Sequence, residues 1–503
     1  MSMLEYIKNI FHARASKPQD SMLDNSAFHA GSSMRPAMLS FRPSERPVDS
    51  EMVGSIELMR ARSRDIIRNS SIGSGIIKLM NRGVIGDGLK LMPAMDAKVI
   101  GLSSDEVKQL EEIVEQEFAL WADSSFCDTE QSNNFYNLQN LVFSSYLENG
   151  DVFVLLTNIP NHSHNHSLSL NVIESDMCKT PRHMLSTPGV VFGVRKNKYN
   201  APVSYFFRSN MPRSEMDAYS FFANNFTEEY REVPVHNKLF HKQVLHIFES
   251  VRPGQTRGVP FLTPVLEEIL QIERYATSEL HASVISSKYT IFIKNESGMS
   301  MAPNNIEGIS DHVNSSDIAL GDGSIVELGQ GQDISIANPG RPNPQFADFI
   351  EFEVNKIAMG LGIPHEVLMQ KFSSSYSASR GSLLEAEKAF AKYRKFFIDA
   401  FCKPVYERFF DDLVASGRIK APGYDDPIKR KAYLGAYWIA PKKSQIDEVK
   451  EVNAAIMRIE AGLSNKTVET MQLTGMKFER VLEIRKKEIE LEKTINNEVK
   501  DNE

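Results

Sequence analysis

Several stretches of this 503-residue chain carry side chains that could do chemistry. His162, His164 and His166 alternate along a Ser/Asn-rich stretch, and in an extended segment alternate residues share one face, where imidazoles could meet a transition metal. No acidic or cysteine partner lies nearby in sequence, so a solvent-exposed loop is the simpler account. Gly298-Met299-Ser300-Met301-Ala302 nearly spells the nucleophile turn of a serine hydrolase and follows a strand-like run, Thr290–Lys294, but Pro303-Asn304-Asn305 stands where the helix should begin. His365-Glu366 opens like a zinc-protease helix, yet Met369 replaces the second histidine and Pro364 sets the pair at a helix boundary. No G-x-x-x-x-G-K-[ST] occurs, and Gly329–Gly331 lacks the lysine and the following helix that hold phosphates, so ATP hydrolysis is not expected. The run Ser373-Ser374-Ser375-Tyr376-Ser377-Ala378-Ser379-Arg380 offers hydroxyls, one aromatic ring and one cation between two strong helical patterns; it suits an ordinary connector or a contact loop.

The composition limits what these groups can serve. With 57 Lys+Arg against 65 Asp+Glu the formal charge is −8, so the surface lacks the broad basic footprint of a general DNA binder and any contact with nucleic acid must be local or sliding. Three cysteines, Cys127, Cys178 and Cys402, form neither a disulfide framework nor a C-x-x-C zinc site, which points to a reducing cytoplasm. No apolar run of membrane-spanning length and no secretion signal is present, so a soluble, unprocessed chain is expected.

The elements that must position these groups can be read from periodicity. Residues 1–52 are rich in Ser, Met and Pro and read as a mobile arm with one short helix around Met3–Phe11. From Ser55 to Met80 the pattern gives two helices broken near Ser70–Gly75, with Arg60, Arg62, Arg64 and Arg68 on a basic face that is most simply solvated. Ser103 and Glu106 form a capping box, and a second helix from Phe135 to Glu148 stops at Gly150. Asp151–Asn158, Leu168–Glu174, Val190–Arg195, Val203–Arg208 and Val244–Phe248 read as strands, giving an α+β domain. Three long helices follow: one capped by Thr263 before Pro264 and running toward Lys288; one beginning at Asn343-Pro344 and ending at Gly360, Gly362 and Pro364; and one opened by a Ser382/Glu385 capping box, kinked at Pro404 and ending at Gly417. Between the first two lies an insert with Glu296, Glu307, Asp311, Asp317, Asp322, Glu327 and Asp333 against only Lys294 and Arg341. Trp438 and charged helices from Asp447 onward complete the chain.

Three motifs bracket the long helices: Arg252-Pro-Gly-Gln-Thr-Arg-Gly-Val-Pro260, Ala358-Met-Gly-Leu-Gly-Ile-Pro364 and Tyr376-Ser-Ala-Ser-Arg380. With Arg64-Asp65, Arg68-Asn69, Gly86-Asp-Gly88, Asn149-Gly150-Asp151-Val-Phe-Val154, Leu245-His246-Ile-Phe248, and Trp438 followed by Lys450-Glu451, they resemble the portal protein family of lambda-like tailed bacteriophages over roughly 55–460. After Trp438 the family commonly has Asp-Pro ahead of Lys-Glu, where this chain has Asp447-Glu448.

The resemblance implies an α+β portal fold with an α/β wing, a two-helix stem, a small α/β clip insert, a long kinked wing helix and a helical C-terminal crown. The corresponding boundaries are 1–52 for the arm, 53–260 for the wing, 261–288 and 343–364 for the stem helices around a 289–342 clip, 365–381 for a tunnel loop, 382–419 for the long wing helix and 420–503 for the C-terminal wing and crown helices. It further implies a ring, usually of twelve copies, at one capsid vertex of the virion, assembled in the host cytoplasm, with a channel that passes double-stranded DNA regardless of sequence. Lys371, Ser373, Ser374, Ser375, Tyr376, Ser377 and Arg380 would touch the DNA backbone, and Glu307, Asp311, Asp317, Asp322, Glu327 and Asp333 would face the terminase motor and later the neck proteins. Major capsid or scaffold proteins are further implied partners; a cofactor, a metal, a membrane and an enzymatic activity are not. Two other readings stay open on sequence: a metal-dependent hydrolase built on the 162–166 histidines, and a neck or baseplate ring that does not conduct DNA.

Overall fold

A computed structural model describes residues 40, 43, 45–160, 166–209, 229–238, 240–287, 291–295, 332–336, 345–372, 375–441, 448–476 and 478–501. The chain divides into two compact units, Met1–Val53 and Gly54–Glu503. Within the first, α1 spans Val48–Met52 after Pro47; Met3–Phe11 lies outside the described residues.

The second unit opens with α2 (Ile56–Asn69) and α3 (Ser71–Val84), separated only by Ser70, whose hydroxyl caps α3 by accepting from Gly73 N. β1 (Lys90–Pro93), α4 (Ala97–Ile100), α5 (Ser104–Asp123) and α6 (Phe135–Asn149) follow. The Ser103/Glu106 capping box forms in both directions, and Gly150 ends α6 in the left-handed region. The strands are β2 (Asp151–Asn158), β3 (Leu168–Ile173), β4 (Val190–Val191), β5 (Val194–Lys196), β6 (Pro202–Arg208), β7 (Tyr230–Pro234) and β8 (Val244–Phe248). They form two antiparallel sheets, β3-β2-β8 and β4-β5-β6-β7. The run expected as one strand at Val190–Arg195 is thus a tight hairpin, turning through Phe192 and Gly193, both at positive φ.

α7 (Leu266–Ser287) and α8 (Phe346–Leu361) flank the insert, where β9 (Ile291–Asn295) pairs with β10 (Gln332–Ile336). Short α9 (His365–Leu368) leads to α10 (Tyr376–Phe397), a π-helical turn at Ile398–Cys402 and α11 (Lys403–Ala415). Last come α12 (Pro427–Tyr433), β11 (Ala436–Ile439), which pairs with β1, and α13 (Glu448–Glu460), α14 (Lys466–Thr474) and α15 (Phe478–Asp501).

Three local expectations are corrected. Thr263 does not cap α7: it opens a 3-10 turn, Thr263–Val265, and its buried hydroxyl has no hydrogen-bond partner among the described residues. α10 begins at Tyr376 rather than Ser382, because Ser375 caps it and the small residues Ser379, Gly381 and Ser382 let the helix extend, with Ser379 buried. The break near Pro404 is the π turn just before it; Pro404 itself sits in the first turn of α11, where its missing N–H costs least.

β2 is buried on both faces, and its alternation divides two cores. Val152, Val154 and Leu156 join the main core, where Phe118, Trp121, Phe135, Phe143, Phe397, Phe401, Tyr406 and Phe409 pack edge-to-face and stacked. Phe153 joins a second cluster with Tyr205, Phe207, Val233 and Val244, which couples the two sheets.

Between these cores lies a charge. Asp151 is fully buried and receives Arg257 Nε at 2.5 Å, Arg60 Nη2 at 3.0 Å, His246 Nε2 at 3.2 Å and the Gly258 N–H at 3.1 Å; the Ser175 hydroxyl also donates to it. Burial alone would raise its carboxyl pKa, but Arg257 and Arg60 with the His246 hydrogen bond outweigh burial and hold it well below the usual range. Burial holds the His246 pKa down despite Asp151, so the neutral ring donates to the carboxylate and stacks on Phe153 with centroids 4.3 Å apart. Arg60 is therefore no part of a solvated face; it is 3% exposed and also donates to the Asn149 carbonyl.

Asp151→Ala leaves two buried guanidiniums uncompensated and is expected to cost about 3–5 kcal/mol. The readout is the urea midpoint of the full-length chain, and an unchanged midpoint would remove the node from the account of stability. Because the folded His246 pKa is depressed, unfolding takes up a proton once pH falls below about 6.5. Its stabilisation is complete above that pH and lost as pH falls toward the folded value. The stability advantage of wild type over His246→Gln should therefore shrink between about pH 7 and pH 5, measured as the difference in thermal midpoints; a constant difference would exclude His246 as an acid-sensitive group.

Candidate nucleic-acid interface

The serine-rich segment is positioned by two helix ends. α8 closes at Gly362 (φ 68), and Gly360 lets it approach the base of α7, where a Cβ would lie 2.8 Å from Val265 Cγ1. Pro364 starts α9, and the Lys371 N–H donates to the Glu366 carbonyl at 3.1 Å as Gln370 adopts φ 52, which turns the chain outward. Lys371 and Phe372 are exposed; Ser373 and Ser374 lie outside the described residues.

The chain then enters α10. The Ser375 hydroxyl accepts from Ala378 N at 3.4 Å, and Tyr376 and Ser377 are exposed in the first turn, which contains no acidic residue. A long helix beginning this way, with a guanidinium five residues in, presents N–H dipoles and positive charge to an anion. Arg380 Nη2 lies 2.8 Å from Glu451 Oε1 on α13, and Lys450 Nζ lies 5.2 Å from the centroid of the Tyr376 ring. Behind these contacts a cleft of about 1200 Å³ is lined by Arg82, Lys90, Arg394 and Arg458 with Glu387 and Glu469. Arg394 is committed to the Gly83 and Val84 carbonyls and to Glu387.

The other candidates separate from this site. Glu307, Asp311, Asp317, Asp322 and Glu327 lie outside the described residues, and Asp333 is on β10, opposite Lys294 of β9. His162, His164 and the Gly298–Ala302 run also lie outside them. His166 bonds Glu117 at 3.0 Å and rests on Phe409, and no cluster of three or more His, Cys, Asp or Glu residues able to hold a metal occurs among the described residues. Burial pushes the Cys127 and Cys178 thiols up to about 12 and Cys402 well above its ordinary value, so none is a ready nucleophile at neutral pH.

Compared with known families, residues 35–394 match the model described as phage portal protein, lambda family. The chain belongs to that family. Portal protein B of Escherichia phage lambda is 22% identical over 467 residues, covering 88% of this chain and 86% of that protein. The portal protein of Escherichia phage N15 is likewise 22% identical over 468 residues, with the same coverage. A probable portal protein of Halomonas phage phiHAP-1 is 24% identical over 425 residues, covering 83% of this chain and 77% of that protein. Among solved structures, chains from the virion of a native gene transfer agent particle and from the neck of an empty one align with TM-scores of 0.40 and 0.41 at 14% identity; they cover 86% and 87% of this chain, and 94% and 96% of theirs.

Three of the segments that carry the family resemblance meet in space. Asn149-Gly150-Asp151, His246 and Arg257-Gly258 all belong to the buried node, and a Cβ on Gly258 would fall 1.8 Å from the Gly150 carbonyl oxygen, so the two loops touch backbone to backbone. Sequence reasoning missed that Lys450 and Glu451 contact the serine-rich segment; Glu451 is 71 residues from Arg380, and no local pattern links them. Removing the Ser375 hydroxyl by Ser375→Ala should loosen the first turn of α10 by about 0.5–2 kcal/mol, seen as faster amide exchange at Ala378; unchanged exchange would mean the turn is held by other contacts.

Proposed function

We propose that this chain is the portal subunit of a tailed-phage virion, forming a ring around a channel for double-stranded DNA at one capsid vertex, with twelve copies when assembled. The family match over 35–394 carries this reading. Supporting it, α7 and α8 pack through Tyr275 on Phe346 and Phe349 yet leave Leu280, Phe352 and Met359 exposed, Met359 at 83%, which suits helices that take a neighbouring copy on their open side.

In this reading α7 and α8 are the stem, and the 289–342 insert is the clip, where Glu307, Asp311, Asp317, Asp322, Glu327 and Asp333 face the terminase and later the neck proteins. The run from Lys371 to Arg380 faces DNA, with Lys371, Tyr376 and Arg380 against phosphates and Ser373, Ser374, Ser375 and Ser377 beside them. Phosphate contacts carry no sequence information, as a channel for any genome requires. Few cations among acidic walls let DNA slide, where dense neutralisation would hold it through counterion release. The role is structural, the ATP-driven step belonging to the separate motor, and assembly takes place in the host cytoplasm with capsid or scaffold proteins. No helix among the described residues is long and apolar enough to cross a membrane.

Native mass and negative-stain imaging of the purified chain test the ring: particles near twelve times 56.7 kDa with a central hole are expected. A species that stays monomeric or dimeric at high concentration overturns it. Deleting 373–379 should leave ring assembly intact and abolish DNA packaging or retention in a complementation assay; normal packaging would remove the segment from the channel.

A further inference from the structure

α13 buries little of itself and carries polar ties to its neighbours. Of its thirteen residues only Ala455 is buried, while Val449 and Met457 stand 70% and 68% exposed. The Arg380–Glu451 ion pair and the Lys450 ammonium over Tyr376 join α13 to α10, and they come from adjacent residues. α13 is joined in turn to α14, because Arg458 places two hydrogen bonds, of 2.9 and 2.7 Å, on the Glu469 carboxylate. Moving Glu451 therefore moves a two-helix unit.

We propose that Lys450 and Glu451 form a latch that a phosphate backbone opens. When it is shut, Glu451 neutralises Arg380 and Lys450 covers the Tyr376 ring, so two of the three side chains assigned to phosphates are occupied within the same subunit. The pair is made for exchange: Arg380 and Glu451 are 40% and 30% exposed, and an ion pair so open to water is weak and salt-screened. A guanidinium binds phosphate as readily as carboxylate, so a phosphate can take Glu451's place on Arg380. Release frees α13 and α14 and uncovers the Tyr376 ring. By linkage, DNA on this segment and docking of α13 oppose each other to the same extent. The inference rests on the reading that 371–380 faces DNA.

The experiment uses the full-length assembled protein, a random-sequence DNA duplex as probe, and the variants Glu451→Gln, Arg380→Gln and the double variant. Amide exchange in α13 and the first turns of α10 should quicken in Glu451→Gln without DNA, and in wild type when duplex or salt is added. Glu451→Gln should bind duplex about fivefold more tightly, the equivalent of a half-exposed ion pair. Arg380→Gln should bind more weakly, and the double variant should match Arg380→Gln, because Glu451 acts through Arg380. If Arg380→Gln weakens binding but Glu451→Gln neither tightens it nor speeds exchange, the latch is wrong and the DNA-facing segment stands. If Arg380→Gln binds like wild type, the DNA-facing reading itself fails and takes the opening step with it.

Discussion

The second unit is organised around one buried carboxylate. Asp151 sits at the first position of β2, and its ligands arrive from α2, from β8 and from the 252–260 loop. A carboxylate with no water must be met on its available lone pairs, and here two guanidiniums, an imidazole, a hydroxyl and a backbone N–H meet it. Such a node adds little net stability over an apolar plug, but losing one partner is costly, so it selects one arrangement of the segments that reach it. Arg257 shows the tightness of that selection: besides Asp151 it donates to the carbonyls of Ser175, Cys178 and Phe192, fixing three turns of the sheet region at once.

The node's consequence is the direction in which the long helices leave. Directly after Arg257, Gly258 presses on Gly150, and Phe261 N donates to the Leu147 carbonyl at 2.9 Å, so the start of α7 is tied to the end of α6. Leu262, Val265, Ile269 and Ile272 are then buried in the main core, whereas Leu280 and Val284 farther along α7 are exposed. α7 is thus half anchored and half projecting. α8 returns beside it, admitted by Gly360 against Val265. The direction of both helices is thus set at their base, by loops held on a buried charge.

The sequence disclosed those features whose cause is local. The Ser103/Glu106 box, Gly150, and the β2 and β8 bounds depend on neighbours within a few residues, and the structure reproduces them. Where two local causes competed, reasoning from spacing chose wrongly: both Ser375 and Ser382 can cap a helix, and only packing that buries Ser379 decides for the longer one. Arg60 was illegible for the opposite reason. Its partner Asp151 is 91 residues away, and nothing in an arginine-rich helix distinguishes Arg60 and Arg64, which turn inward, from Arg62 and Arg68, which stay exposed. The serine-rich segment stood out by its composition, but its tie to Glu451, 71 residues from Arg380, was not legible.

Two arginine–carboxylate pairings therefore serve opposite ends in one chain, and burial is what separates them. Around Asp151 the low dielectric makes every ligand obligatory, so the pairing is static and the frame from which α7 leaves is fixed. Between Arg380 and Glu451 water competes for both charges, so the pairing is an exchangeable contact at the point where an outside phosphate would arrive. A ring through which a charged polymer slides requires both kinds: a frame insensitive to the polymer's field, and surface cations whose carboxylate partners keep them from gripping it. With the rigid node near the base of α7 and the labile pair at the start of α10, the proposed channel would meet both requirements with the same two functional groups.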